Sequence, residues 1–319
     1  MVGTSWYGTP RVGAPRTELM ATRPGPIGFR ISAIESRGID WPMLSATWAL
    51  AGELGVFDAG WMSDHLTDAS REHGGAGFES MTTLAALASR VRGLWVGVAV
   101  ASNTFRHPAV LAKSATVLDN VTGGRFVLGL GAGWHEGEHE QFGVPLPPMA
   151  ERFDRFESAL RVLSALFSEE ARTPPGVTLD DPFYPLREAT NEPVPVRPEG
   201  PAIWLGGQRR RGIGLAVRYA EGWPMPGNRP GDVAYFAGKR DEIARALEAA
   251  GRDPADFTFA AQLNAGATPA ELRETRDVAR AFLAAGANHL MIGVPARLGP
   301  DGLARMAAEV AVPLRDTLG

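Results

Sequence analysis

The stretch Gly124-Arg125-Phe126-Val127-Leu128-Gly129-Leu130-Gly131-Ala132-Gly133-Trp134 decides how the rest of this 319-residue chain is read. An apolar run ends in three alternating glycines. Runs of this kind are strands buried on both faces, and such strands belong to parallel sheets covered by helices. The glycines fall at the strand's carboxyl end, where absent side chains let the backbone approach something flat or phosphorylated. In α/β proteins that end is where ligands bind. Chemistry is sought here first.

Outward from this strand, short apolar runs alternate with segments of helical period. Strands are predicted over 27–33, 56–62, 94–101, 125–130, 202–206, 222–225, 257–263 and 289–294. Helices are predicted over 41–55, 79–91, 209–220 and 232–250, with further helical segments after the last two strands. The helix after the third strand is placed by apolar residues at Val110, Val117, Leu118 and Val121, and Gly123-Gly124 stops it. Phe153, Phe156, Leu160, Leu163 and Phe167 form an amphipathic stripe. Eight strand–helix units in strict alternation predict an α/β fold, a closed (β/α)8 TIM barrel forming one domain over 27–319. The weakest strand is the sixth, with its Trp223-Pro224-Met225-Pro226 run. The proline-rich segment 169–200 has no clear period and reads as an insertion, a candidate lid or cap over the site.

Composition narrows the function. Hydrophobic content of 45% supports a sizeable core, and a formal charge of −4 argues against a nucleic-acid or anionic-membrane binder. With no cysteine there are no disulfides, thiolate metal sites or cysteine nucleophile. No apolar run reaches the roughly 18 residues of a membrane span. Residues 1–26 lack the apolar core of a secretory signal and read as a loosely held arm of a cytoplasmic protein.

Four motifs carry candidate chemistry. Asp64-His65 follows the second strand: His65 can move a proton near neutral pH and Asp64 can bond a ligand, or Asp64 caps the next helix and His65 lies on the surface. His135-Glu136-Gly137-Glu138-His139 matches the H-E-x-x-H zinc pattern, but its central glycine and its place at a strand exit disfavour two imidazoles on one helical face. A loop-to-helix start facing a ligand, with Gly137 in it, fits better. Gly129 to Gly133 lacks the dinucleotide G-x-G-x-x-G spacing. Gly206-Gly207 ends the fifth strand ahead of a helix, and Arg209, Arg210 and Arg211 favour an anion site there over an ordinary tight turn. Trp134, Trp204 and Trp223 fall near strand ends, where packing is the commoner role.

Taken together, the segments 56–66, 104–111, 123–143, 151–163, 203–207 and 219–223 resemble the bacterial luciferase-like superfamily, and within it the branch using the deazaflavin coenzyme F420. The resemblance spans roughly residues 27 to 315. It implies that Asp64 and His65 contact the cofactor, with His65 acting at the reacting face. It implies a bulge with a non-prolyl cis peptide near Ala99-Val100 on the third strand, with Ser102 reaching the cofactor. Ala132 and Gly133 would lie against the ring, and Gly206, Gly207 and the amides of Arg209 and Arg210 would hold the phosphate. Sugar-phosphate dehydrogenases of the branch carry Glu where this chain has Trp134, and their phosphate-binding lysines are not matched by Lys113 or Lys239. Glucose-6-phosphate oxidation is therefore not expected.

The expectation is an F420-dependent oxidoreductase acting on a small organic substrate, as a homodimer. FMN-dependent monooxygenase or reductase chemistry and a non-catalytic deazaflavin-binding barrel are the rivals, and a metal hydrolase using His135 and His139 is a distant one. The substrate wall is expected from loops at 32–37 and 66–78 and from the 169–200 insertion.

Overall fold

A computed structural model of the protein describes residues 22–31, 39–67 and 77–318. The arm expected over 1–26 falls mostly outside them, as do the 32–37 loop and most of the 66–78 loop. β1 (Ile27–Ile31) leads to α1 (Trp41–Leu54), β2 (Ala59–Met62) to α2 (Ser80–Ala88), and β3 (Trp95–Ser102) to α3 (Pro108–Thr122). β4 (Phe126–Gly131) is followed by the short α4 (Glu136–Phe142) and the long α5 (Met149–Phe167). A hairpin of β5 (Val177–Leu179) and β6 (Leu186–Ala189) interrupts the alternation. β7 (Ala202–Leu205), α6 (Arg210–Tyr219), β8 (Gly222–Pro224), α7 (Val233–Ala249) and β9 (Thr258–Asn264) resume it. Then come α8 (Pro269–Ala284), β10 (His289–Val294), α9 (Gly299–Met306) and α10 (Val312–Leu318). Strands β1-β2-β3-β4-β7-β8-β9-β10 close into one barrel, β10 pairing in parallel with β1. The fold is the expected (β/α)8 barrel. Its doubtful sixth strand is real but short, held by Gly222, Trp223 and Pro224 against β9.

The helix placed after the third strand is present, and its packing adds what periodicity alone did not give. On α3 the valines turn outward: Val110 is 59% exposed, Val117 48% and Val121 44%. The face toward the barrel is Leu111, Ala112, Ala115 and Leu118. Small alanines let the helix lie close to the sheet, so bulk did not mark the inner side. The 169–200 insertion packs against α3 and α5, with Tyr184 on the His107 ring at the N-cap of α3 and Phe183 under Arg155. It lies along the outer faces of α3 and α5, where Asn191 donates to Thr116, Asn120 to the Val194 carbonyl, and the amides of Val196 and Arg197 to Asp119. Arg161 on α5 pairs with Asp181 at 2.6 Å. Among the described residues no helix is long and apolar enough to cross a membrane.

The barrel floor is built by pairing tryptophans with glycines. Trp61 and Trp204 pack ring on ring, centroids 4.8 Å apart. A Cβ on Gly28, Gly97 or Gly222 would collide with one of these indoles, so the absent side chains create the space the rings fill. His289 lies beside them, fully buried. Its Nε2 accepts from Trp61 Nε1–H (2.9 Å), and its Nδ1–H donates to the Gly25 carbonyl (2.6 Å). Both ring nitrogens are used by the neutral tautomer. Burial pushes the His289 pKa down from 6.5 to about 4, against the smaller opposing pull of the Gly25 carbonyl and Asp58.

A His kept neutral by folding makes stability fall with acid. Below pH 6.5 the unfolded chain takes a proton that the folded chain refuses until about pH 4. Stability should drop across that window by up to about 1.4 kcal/mol per pH unit, roughly 3 kcal/mol in all, and no further below it from this group. His289→Gln can keep both hydrogen bonds and does not titrate. Urea unfolding followed from pH 7 to 4 should show a shallower loss for the variant than for the wild type. Parallel curves would remove His289 as the cause.

Candidate active site

Barrel-strand residues are buried almost throughout, apart from Arg30 in β1 and Asn264 at the end of β9. The other exceptions adjoin one another: Ala99, Val100 and Ser102 on β3, and Gly131 at the end of β4. Ala132 and Gly133 beyond β4, and Gly206 and Gly207 beyond β7, are partly exposed as well. These are the residues the sequence assigned to cofactor binding. The β3–β4 register shifts between Val98 and Ala101, and the Ala99-Val100 peptide is cis, as expected. The bulge turns Val100 toward the neighbouring strand ends. A Cβ on Gly131 would lie 3.0 Å from its side chain, and one on Gly206 3.8 Å.

The alternating glycines thus answer first to the protein itself. A side chain at Gly129 would strike the Val98 carbonyl across the bulge. Gly133 has φ +88°, and a Cβ there would come within 2.7 Å of Thr104 Oγ1 and 2.9 Å of Ser102 Oγ. Arg152, buried at the start of α5, donates to the Gly133 carbonyl (2.9 Å) and steadies the turn.

Asp64 does something other than face a ligand. Its side chain is wholly buried and its two oxygens accept four hydrogen bonds. Ser80 Oγ–H (2.6 Å) and Arg106 Nη2 (2.8 Å) reach Oδ1, while the Ser102 amide (2.8 Å) and Arg106 Nη1 (2.7 Å) reach Oδ2. Arg106 also pairs with Glu79, the cap of α2. Burial alone would raise the Glu79 carboxyl, but hydrogen bonds from Thr82 and Arg106 outweigh it and hold the group at about 2. Burial likewise works against the Arg106 charge, and the bonds to Asp64 raise its pKa regardless. With its acceptors spent on three elements, Asp64 corrects the expected role: it holds Ser102 in place and has no lone pair left for a cofactor.

His65 keeps its expected place at the mouth, with a partner the sequence did not give. Its Nδ1–H donates to Glu138 Oε2 (2.8 Å), and Glu138 Oε1 accepts the amides of Leu66 (2.7 Å) and Thr67 (3.2 Å). Burial pushes the Glu138 carboxyl up, but the His65 hydrogen bond and charge and the two amides outweigh it, so it stays below the usual range. A carboxylate accepting from Nδ1–H fixes the neutral tautomer and orients the ring, so that Nε2 is the nitrogen turned from Glu138.

The H-E-x-x-H segment is put to use without both imidazoles facing one point. His135 caps α4, its Nδ1 accepting the Glu138 amide (3.1 Å). His139 Nδ1–H donates to the His135 carbonyl (2.6 Å). In the neutral ring Nε2 then accepts from Thr104 Oγ1–H (2.7 Å), and Thr104 accepts from Ser102 Oγ–H (2.6 Å). That direction leaves lone pairs of Ser102 toward the mouth. Gly137 sits in the first turn of α4, and among the described residues only the His135 ring lies near its missing Cβ.

The turn after β7 fits an anion. Arg209 occupies the N-cap of α6 and no side chain caps the helix. The amides of the first turn therefore have no acceptor of their own, and the three arginines there oppose the helix dipole. Arg209 and Arg210 are exposed, while Arg211 turns away to Asp154 (2.7 Å) and Glu157 (3.4 Å). Gly207 has a separate reason to be glycine, since a Cβ would strike the backbone of Gly212. Its carbonyl is taken by Trp223 Nε1–H (2.8 Å), and the Gly206 amide leans on the Leu130 carbonyl (3.4 Å).

Glu138, Arg106, Thr104, His139 and Arg152 are the site residues sequence reasoning missed. Glu138 and His139 stood in a pattern that suggested zinc, and Thr104, Arg106 and Arg152 lay in segments that carried the family resemblance without being singled out.

Residues 31–312 match the luciferase-like monooxygenase family. Phthiodiolone/phenolphthiodiolone dimycocerosates ketoreductase of Mycobacterium tuberculosis is 32% identical over 256 residues, which cover 73% of this chain and 63% of that protein. The F420-dependent glucose-6-phosphate dehydrogenase of Microbacterium testaceum is 34% identical over 177 residues, covering 58% of this chain and 49% of its own. The chain therefore spans less than two thirds of the curated relatives it matches. An F420-dependent secondary alcohol dehydrogenase, solved with an F420–acetone adduct, superposes with a TM-score of 0.71 at 18% identity, over 90% of this chain and 99% of that one. The chain belongs to the luciferase-like monooxygenase family.

Proposed function

We propose that this enzyme binds F420 and moves a hydride and a proton between it and a carbonyl or secondary alcohol carbon. The observation that carries the proposal is the His65–Glu138 pair beside the partly exposed ends of β3 and β4. The names of the relatives support both halves, since one is a ketoreductase and another F420-dependent. When bound, F420 supplies or accepts a hydride at C5 of its ring. Ala99, Val100, Ala132 and Gly133 offer it a flat, largely apolar bed. Ser102, held by Asp64 from behind and by Thr104 at its hydroxyl, offers an acceptor at the ring edge. The first turn of α6, with Arg209 and Arg210, would take the phosphate. His65 gives a proton from Nε2 to the carbonyl oxygen in reduction and takes it from the hydroxyl in oxidation, with Glu138 stabilising the charged ring.

Three outcomes test this. Fluorescence titration should show F420 binding more tightly than FMN, and the reverse order would reject the cofactor assignment. His65→Ala should lower kcat roughly 100-fold or more with F420 affinity little changed. Glu138→Gln, which keeps the acceptor but loses the charge, should fall between the variant and the wild type. Wild-type turnover in His65→Ala would show that the proton comes from elsewhere.

The phosphate site needs a variant other than Gly207→Val, which would disturb α6 whatever the ligand. Arg209→Ala with Arg210→Ala touches no internal bond of the site. F420 affinity should fall as salt rises in the wild type, and the double variant should flatten that dependence. An unchanged salt slope would place the phosphate away from α6.

A further inference from the structure

We infer that Trp134 selects substrates by an apolar chain next to the reacting carbon, an inference that rests on the proposed carbonyl and alcohol chemistry and adds the substrate class. Trp134 stands directly after the β4 glycines and is 65% exposed. A solitary exposed apolar residue needs no explanation, but its position does. Its ring lies 6.1 Å from that of His65, nearly perpendicular at 87°, and 4.9 Å from that of His135. His135 in turn lies 6.3 Å from His65. The indole is thus a wall beside the group that handles the proton, and a substrate whose oxygen reaches His65 must lay its substituents against it.

Among the described residues, the charged groups bonded around Asp64 and His65 are paired within the site. Asp64, Arg106 and Glu79 pair with one another, and Glu138 with His65. Of the two lysines, Lys113 reaches the Glu192 carbonyl on the outer face of α3, and Lys239 pairs with Glu242 on α7. None of these is available to hold a substrate phosphate or carboxylate at the reacting centre. Farther along the chain, past the polar run His135 to Gln141, Phe142 at the end of α4 and Met149 at the start of α5 are 54% and 58% exposed. A ketone or secondary alcohol with an alkyl chain suits this wall, since covering apolar surface strengthens binding with each methylene added. The reaction balances as before: hydride from reduced F420 would join the carbonyl carbon, the proton from His65 would join the oxygen, and the reduced coenzyme would be returned to oxidised F420.

The experiment measures two homologous series on the wild type, Trp134→Phe, Trp134→Ala and Trp134→Glu. The first is kcat/KM of the enzyme supplied with reduced F420, for 2-ketones of increasing chain length. The second is the Kd of unreactive primary alkyl amides of the same lengths, with and without F420. For the wild type both should improve by about threefold per methylene over the first few carbons. Trp134→Phe should keep most of that slope, Trp134→Ala should flatten it, and Trp134→Glu should abolish it, with F420 affinity unchanged in all three. A slope equal in Trp134→Ala and wild type, or a wild type indifferent to chain length, would overturn the inference. Should F420 fail to bind at all, the cofactor proposal falls, and the amide series in its absence still decides the role of Trp134.

Discussion

Everything at the mouth of this barrel hangs on one buried carboxylate. Removing Asp64 from water costs several kcal/mol unless its charge is matched and its lone pairs are filled. Arg106 does the first and, with Ser80 and the Ser102 amide, the second. The solution joins the exit of β2, the first turn of α2 and the last residue of β3. His65 is the next residue after Asp64, so the same bonds that fix the carboxylate fix where the imidazole begins. Ser102 is fixed from the other side through its amide. A side chain whose type suggests ligand contact therefore acts one layer back, and its strength comes from having nothing left to offer a ligand.

The barrel is divided along its axis by the same logic. At the floor, indoles fill the space left by Gly28, Gly97 and Gly222, and the single polar ring there, His289, is neutral and satisfied on both sides. In that layer the rings of Trp61, Trp204 and His289 are buried against one another. Above it Val100 turns toward the exits of β4 and β7, and the polar groups face one another across partly exposed backbone. A rigid, dry floor gives the mouth a fixed base against which small displacements of His65 or Ser102 would be resisted.

Much of this was legible in the sequence because strands buried on both faces and glycine-stopped helices are local signals. The eight strands emerged within a few residues of their places, His289–Val294 at the same bounds, and even the poor run at Trp223-Pro224 formed its short strand. The bulge at Ala99-Val100 followed from resemblance and not from pattern. What stayed hidden depended on distance in the chain. Glu138 meets His65 from 73 positions away, and nothing in either segment announces the other. Asp64 was legible as important and misjudged in role, because saturation by four donors is a property of the folded site. On α3 the rule that bulk faces inward failed, since Ala112 and Ala115 let the helix approach and left Val110, Val117 and Val121 outside.

The glycine run that decides the fold also decides the chemistry, and the two are not independent. Gly129 must be small so that β4 can pass the bulge of β3, and Gly133 must be small and left-handed so that the chain can clear Ser102 and Thr104. Having cleared them, the chain enters α4 at once, which sends Glu138 to His65 and His139 to Thr104 from adjacent positions. One turn of helix therefore supports both His65 and the hydroxyl chain that orients Ser102. A shift of α4 would move both together, so the geometry of the two halves of the site is set by a single junction. Trp134 occupies that junction, between the glycines that build the bed and the helix that arms it. Its placement beside His65 follows from the same backbone constraint that made the strand recognisable.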